Sequence, residues 1–413
     1  MLLSYSDALH RILGDITALG TERVPLQDAL DRVVAVAVRA RHALPPADNS
    51  AMDGYALRHA DQGDPLRVTQ VIPAGGQPER EVVAGEAARI FTGAPVPPGA
   101  DTVVAQERTT RDGDVVHIDS PETLGANIRP RGEDVQVDAV LLPVGAVVSA
   151  SAIGMLAAQG LTYVDVARRP VIAILATGDE VHEPGDPLPH GHIWSGNSHA
   201  LAAAVREAGG EPRMLGIARD DRESLRRALD GIRHADALLT IGGVSVGEFD
   251  FVKEAIDELG GQQEFWKVRV RPGKPNAFGR LGTTWWFGLP GNPVSCMVSF
   301  YEYVRPALLK LQGRADLFLP TRAAVLQHDL RKRAGFTIFF RGVARWDHAA
   351  GGFTVRTTGP QGSGILSSML HANCLIAAPE EASSLTAGST VTIQLLPGGG
   401  PAFAQASAGI GGA

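Results

Sequence analysis

The chain has 413 residues, 44% hydrophobic and 20% charged, with 38 basic against 45 acidic side chains and a formal net charge of −7. That length exceeds one ordinary core, so two to four domains are expected, and the acidic balance argues against a general nucleic-acid binder while leaving room for local basic patches. With only Cys296 and Cys374, a disulfide framework or a Cys-rich zinc site is excluded and a reducing compartment fits.

The opening MLLSYSDALHRILGD has no basic stretch followed by a long apolar one, and no later run spans a bilayer, so a cytoplasmic protein without a membrane partner is expected. Apolar spacing predicts a helix from Tyr5 to Leu19, and Pro25 at a first turn predicts a second from Leu26 to Arg39. From Arg39 to Asp138, runs such as PLRVTQVI, ARIFTG, DTVVAQE and VVHIDS between Pro and Gly predict a small β-rich domain. Ser149 to Leu161 returns to helix and is expected to pack on the N-terminal helices. Between Arg169 and Leu311, strands such as VIAILATGDE and DALLTIGG alternate with helices such as SHALAAAVREAGG and FDFVKEAIDELGG. EFWKVRVRPGKP and TWWFGLPGNP read as the last strands, and SCMVSFYEYVRPALLKL as the closing helix. This alternation predicts a doubly wound, mostly parallel α/β sheet with helices on both faces. From Gly313 to Pro397 strands and turns return, and the glycine-rich tail reads as disordered.

Open parallel sheets bind ligands at the carboxyl ends of their strands. Here those ends read TGDE, RDD, GGVSVGEFD, RPGKP and LPGNPVS, a rim crowded with charges of both signs. Gly242, Gly243 and Gly247 would let backbone N–H groups approach an anion at a helix N-terminus. The pattern is neither a dinucleotide fingerprint nor a Walker A loop, so taken alone it reads as a structural turn by about two to one. Glu248 and Asp250 would repel a bare phosphate; a Mg²⁺ ion bridging carboxylates and substrate phosphates reconciles the two. Asp179, Glu180, Asp220 and Asp221 support that reading, although each taken singly is equally well a helix cap. Lys267, Arg269 and Arg271 are expected on one strand face, as anion ligands or an exposed salt-bridged edge, with Lys274 in a stiff turn as an oxyanion ligand. Ser295 would open the last helix as a donor. His182, His190, His192 and His199 lack the helical spacing of a zinc enzyme and read as a solvated loop. Cys296, among apolar neighbours, reads as a buried thiol. The loops around Asp53, Thr92 and Asp134 are polar, but composition alone leaves them as turns.

In order along residues 5 to 396, the strings DNSAMDGYA, IFTGAPVPPGAD, NIRPRGED, ATGDE, GGVSVGEFD, RPGKP, GLPGNPVS and QGSG resemble those of the molybdopterin molybdenumtransferase family. This family comprises the bacterial MoeA proteins and the C-terminal domain of gephyrin. The resemblance implies an α/β multidomain fold: 1–38 with 139–168 as a helical and extended linking domain, 39–138 as the small β-rich domain, 169–312 as the molybdopterin-binding α/β domain, 313–397 as a β-barrel-like domain, and 398–413 as the tail. It implies insertion of molybdate into the dithiolene of adenylylated molybdopterin, with release of AMP and assistance from Mg²⁺. It also implies an elongated homodimer whose cleft is shared between subunits, fed by a molybdopterin adenylyltransferase and serving molybdoenzymes or cofactor-maturation proteins.

Carried over by motif, the catalytic residues are Asp53, Thr92, Asp134, Glu180, Asp220 and Asp250, with Glu180, Asp220 and Asp250 toward the metal. The substrate residues are Gly242, Gly243, Ser245 and Gly247 of the glycine loop, with Lys267, Arg271, Lys274, Pro290, Ser295, Arg341 and Ser363. Arg271 stands where the family commonly has Lys, replacing a compact ammonium by a planar fork. A non-catalytic scaffold of the same fold is the alternative, and the acids at 53, 180, 220 and 250 weigh against it. A nucleotide-dependent dehydrogenase is disfavoured by the missing glycine fingerprint.

Overall fold

The computed structural model describes residues 2–243 and 251–398; the expectations for Ser245, Gly247, Glu248, Asp250 and the tail beyond 398 lie outside them. Successive residues of the strand Val171–Thr177 point to opposite faces, and both faces are apolar: Ile172 and Ile174 enter one core, Ala173 and Leu175 another. Helices Tyr5–Gly14, Gly196–Glu207 and Pro293–Ser299 cover the first face, and Arg222–Leu229 and Phe251–Glu258 the second. The sheet runs Glu211–Ala218, Val171–Thr177, Ala237–Ile241, Thr284–Leu289, Pro275–Leu281, Gln262–Lys267. The first four strands are mutually parallel, Pro275–Leu281 runs against them, and Gln262–Lys267, antiparallel to it, returns to their direction. The expected doubly wound sheet is present, with Pro275–Leu281 as an added strand hidden by the prolines on either side of Lys274.

Residues 26–39 depart from the expected second helix. Only Leu26–Asp28 makes a helical turn, Asp31 takes φ 61°, and the chain then runs extended. Val33 and Val34 bridge Val147 and Val166, and Val38–Arg39 pairs with Val140–Leu142. The reason is the β-branched run VVAVAV, stiff at χ1 and suited to a strand. The first helix ends at Gly14 rather than Leu19. Its Ala8 and Ile12 bury into the α/β core, whereas helix Ala150–Ala158 packs on Val24, Ala29, Val34, Val164 and Val166. The two helices therefore serve different cores instead of packing together.

Residues 54–118 form a six-stranded sheet with cores on both sides. In the C-terminal unit Thr337–Asp347, Gly352–Thr357, Thr321–Leu326, Thr390–Leu395 and Cys374–Ala378 pair in turn, and the last returns to the first, closing a barrel. Val270–Arg271 leaves the α/β unit and adds in parallel to Thr337–Ile338 of that barrel. No helix among the described residues is long and apolar enough to cross a membrane.

The helix closing the α/β unit contains a π turn, Phe300–Val304, just before Pro306, whose missing N–H and ring disturb the i→i−4 ladder. There Glu302, 2% exposed, accepts from the Tyr5 hydroxyl at 2.7 Å and from the Gln394 amide at 3.2 Å, joining three parts of the chain. Burial pushes its carboxyl up to about 7. The folded state thus holds a proton that the unfolded chain releases near its ordinary pKa of about 4.3. Stability is expected to fall as pH rises from about 4.5 to 7, by on the order of 3 kcal/mol from this group, and to level off above. Glu302→Gln, which stays neutral, should flatten that part of the profile. Thermal melts of the two proteins at pH 5 and pH 8 decide it: parallel profiles would mean that Glu302 does not titrate there.

Candidate active site

The ends of the parallel strands enclose a pocket of about 270 Å³ lined by Thr177, Glu180, Asp220, Gly242 and Gly243, with Gly291 and Pro293 opposite. At Gly243, φ is 62° and a Cβ would lie 2.4 Å from the Val252 side chain, so only glycine lets this loop pass over the helix Phe251–Glu258. Asp221 is the helix cap, accepting from the Ser224 amide at 2.7 Å. Asp220 instead lines the pocket. Its carboxyl is pushed above the ordinary range by partial burial and by the neighbouring charges of Asp179, Glu180 and Asp221. Converging carboxylates of this kind are relieved by a bound cation. Among the described residues no three His, Cys, Asp or Glu side chains converge to hold a metal. A cation beside Glu180 and Asp220 would therefore draw its remaining ligands from water and substrate oxygens, the manner in which Mg²⁺ is usually held. The residues present fit that ion.

A second pocket of about 390 Å³ has the opposite character: it is lined by Arg271, Lys274, Ser295, Arg341, Gln361 and Ser363, with no acid among the described residues of its wall. Arg341, 1% exposed, has no carboxylate partner among the described residues; it donates to the Ser368 hydroxyl and the Gly362 carbonyl, both at 3.1 Å. Burial lowers its pKa to about 10. A buried guanidinium beside two more cations has the chemistry to accept an anion. Gly273, at φ 112°, brings the Lys274 turn so near helix Pro293–Ser299 that a Cβ would lie 2.8 Å from the Ser299 hydroxyl. The Val294 amide donates to the Ser363 carbonyl at 3.1 Å and ties the helix start to the barrel. The turn at 290–293, with Pro290 buried, separates the pockets: Gly291 and Pro293 face the acidic one, Asn292 the basic one.

The row expected of Lys267, Arg269 and Arg271 is not formed. The strand ends at Lys267 after register shifts, Arg269 pairs with Glu380 at 2.6 Å, and Arg271 joins the barrel, its guanidinium 4.6 Å from the centre of the Phe336 ring. Val268 and Val270 stay buried in the same core as Phe265, so the alternation of burial persists; it is Glu380 and the barrel strand that part the three cations. Lys267 is not part of the basic pocket's wall.

In the small β unit the amide and hydroxyl of Thr92 both donate to Asp53, at 2.8 and 2.7 Å, and hold its carboxyl below the usual range. The Asp134 amide donates to the Leu44 carbonyl at 3.0 Å. Neither pocket takes a described residue from 39–138, so a single chain does not bring Asp53, Thr92 or Asp134 to the rim. His182 and His192 hydrogen-bond each other at 2.7 Å beside the pairing of Val181–His182 with Ile193–Trp194, so this loop has more order than a solvated one. Cys296 is fully buried, its thiol pushed up to about 12 by burial, an inert core group. Sequence reasoning missed Trp194 and Asn197 in the acidic pocket and Gln361 in the basic one. The signal available was an aromatic residue just ahead of a helix start in a βα loop.

Three family models match the chain: the MoeA N-terminal region (domains I and II) over residues 3–160, a probable molybdopterin-binding domain over 173–310, and the MoeA C-terminal region (domain IV) over 323–396. A Haemophilus influenzae protein named molybdopterin molybdenumtransferase is 38% identical over 380 residues, 91% of this chain and 93% of its own. A Mycobacterium tuberculosis protein named molybdopterin molybdenumtransferase 2 is 39% identical over 383 residues, 90% of this chain and 94% of its own. The solved structure of a molybdopterin biosynthesis MoeA protein from Pyrococcus horikoshii OT3 superposes with a TM-score of 0.81 at 31% identity, covering 96% of this chain and 100% of its own.

Proposed function

The chain belongs to the MoeA family of molybdopterin molybdenumtransferases, and from that premise we propose that it inserts molybdate into the dithiolene of adenylylated molybdopterin and releases AMP. It is a transferase of molybdenum cofactor biosynthesis. The observation that carries the finer reading is the pair of pockets across the turn at 290–293, one acidic and glycine-lined, the other basic and without acids among the described residues. A tetrahedral oxyanion suits the second; a phosphoanhydride accompanied by a cation suits the first.

In this reading Lys274, Arg341, Arg271 and the hydroxyls of Ser295 and Ser363 hold molybdate. Gly242 and Gly243 let the phosphates approach the backbone. Glu180 and Asp220 would hold Mg²⁺, which when bound offsets the charge on the leaving phosphate. Two Mo–O bonds exchange for two Mo–S bonds, the oxygens leaving as water. One water is consumed in cleaving the phosphoanhydride that frees AMP, and no oxidation state changes. The chain's own contribution is to position the reactants and supply charges arranged before they arrive. Residues 1–38 with 139–168 serve as the linking unit, and a homodimer in the cytoplasm brings Asp53, Thr92 and Asp134 of one subunit to the rim of the other.

The test supplies adenylylated molybdopterin and Mg²⁺ to the purified protein and follows AMP with and without molybdate. Molybdate-dependent release is the expected result. Tight binding without release would overturn the catalytic reading in favour of a carrier.

A further inference from the structure

Trp194 has no part in the reaction described above, yet it lines the acidic pocket and is 51% exposed. It is not free to wander. The Ile193 amide donates to the Glu180 carbonyl at 2.9 Å and the Ser195 amide to the His182 carbonyl at 2.8 Å. The indole N–H donates to the Asp186 carbonyl at 3.2 Å. Glu180 and Trp194 are thereby carried on one braced flap, so the ring is placed as firmly as the acid. Directly after it, helix Gly196–Glu207 starts without a side-chain cap: the Ser195 hydroxyl bonds that of Ser198 at 2.6 Å. Gly196 and Asn197 line the same pocket, and the Asn197 side-chain Nδ2 donates to the Gly291 carbonyl at 2.7 Å, tying this wall to the turn between the pockets. The pocket therefore runs from an aromatic face, past an open helix start, to glycines and carboxylates.

We propose that Trp194 is a substrate-binding residue whose exposed face stacks on a flat heteroaromatic ring of the substrate while the attached phosphate lies at the glycine and carboxylate end. The proposal rests on the transferase reading. Adenylylated molybdopterin carries two such rings, a pterin and an adenine, and either meets the chemistry: an indole face prefers a flat, electron-poor partner and makes no demand on its edge. Such a contact is equally good in the ground and transition states, so it acts on binding and leaves the chemical step alone.

The test compares wild type, Trp194→Phe and Trp194→Ala as full-length proteins, by titration with AMP and with adenylylated molybdopterin and by molybdate-dependent turnover. Trp194→Ala is expected to weaken binding of adenylylated molybdopterin about 5- to 150-fold with kcat nearly unchanged. Trp194→Phe should keep affinity within a few-fold while losing the ligand-induced fluorescence quench, because the emitter is gone. If AMP binding weakens in parallel, the ring is the adenine; if AMP binding is unaffected, it is the pterin. Unchanged binding in Trp194→Ala, a quench that persists in Trp194→Phe, or a dimer that dissociates while affinity holds would each overturn the proposal. Failure of the transferase reading looks different: wild type would show the Trp194-dependent quench but no molybdate-dependent release of AMP.

Discussion

Asp220→Asn is expected to lower molybdate-dependent AMP release by more than about 100-fold in a protein that folds as well as wild type or better. Two opposite consequences follow from one observation. Partial burial, with the nearby charges of Asp179, Glu180 and Asp221, raises the pKa of the Asp220 carboxyl, so its charge is a burden to the fold. Removing that charge relieves repulsion at neutral pH while taking away a ligand of the cation and its phosphates. Loss of stability and loss of activity together would instead mark a structural residue. The pH dependence has a definite sign. A cation competes with the proton on Asp220, so activity should rise as pH rises through its elevated pKa. Asp179→Asn removes one of the raising charges and should move that acid limb to lower pH. Turnover within tenfold of wild type in Asp220→Asn would take the residue out of the mechanism.

Arg341→Met is expected to raise the molybdate concentration needed for half-saturation about 10- to 100-fold with little loss of fold. Among the described residues its buried guanidinium has no carboxylate partner and donates to neutral groups, so its charge contributes no ion pair there. Filling the site with an apolar side chain of similar length is typically neutral or stabilising once no partner charge is stranded. What is lost is a charge-assisted hydrogen bond to a dianion, each commonly about 1.5–3 kcal/mol. Lys274→Ala, on the exposed side of the same pocket, should move saturation in the same direction. The measurement is AMP release against molybdate at fixed ionic strength, because surface attraction to the anion varies with salt. An unchanged molybdate dependence in both variants would move the oxyanion out of this pocket.

Much of this site is legible along the chain because parallel α/β topology makes it so. Once strands and helices alternate, the loops after Thr177, Ala218, Ile241 and Leu289 must lie side by side, and their residues are local to those loops. The misreadings have a common origin in contacts far apart in sequence. The run from Val33 to Val38 left the helix for isolated bridges and a short strand at Val38–Arg39 because partners near Val147, Val166 and Val140 were available to it. Arg269 and Arg271 left their expected face because Glu380 and the barrel strand Thr337–Asp347 drew that segment away.

Sequence alone determined the charges at the strand ends, the glycines that permit close approach, and, through motif resemblance, the family. Local spacing suffices for these, since side-chain direction and loop position follow from the periods of strand and helix. Only the tertiary structure decided how the charges are sorted. Pairing of Val270–Arg271 with the barrel carries Lys274 toward Arg341 and Ser363, and the buried turn at Pro290 keeps that basic group apart from Glu180 and Asp220. That sorting depends on which apolar faces find each other across hundreds of residues, a property of the packed cores that no single stretch of the chain contains.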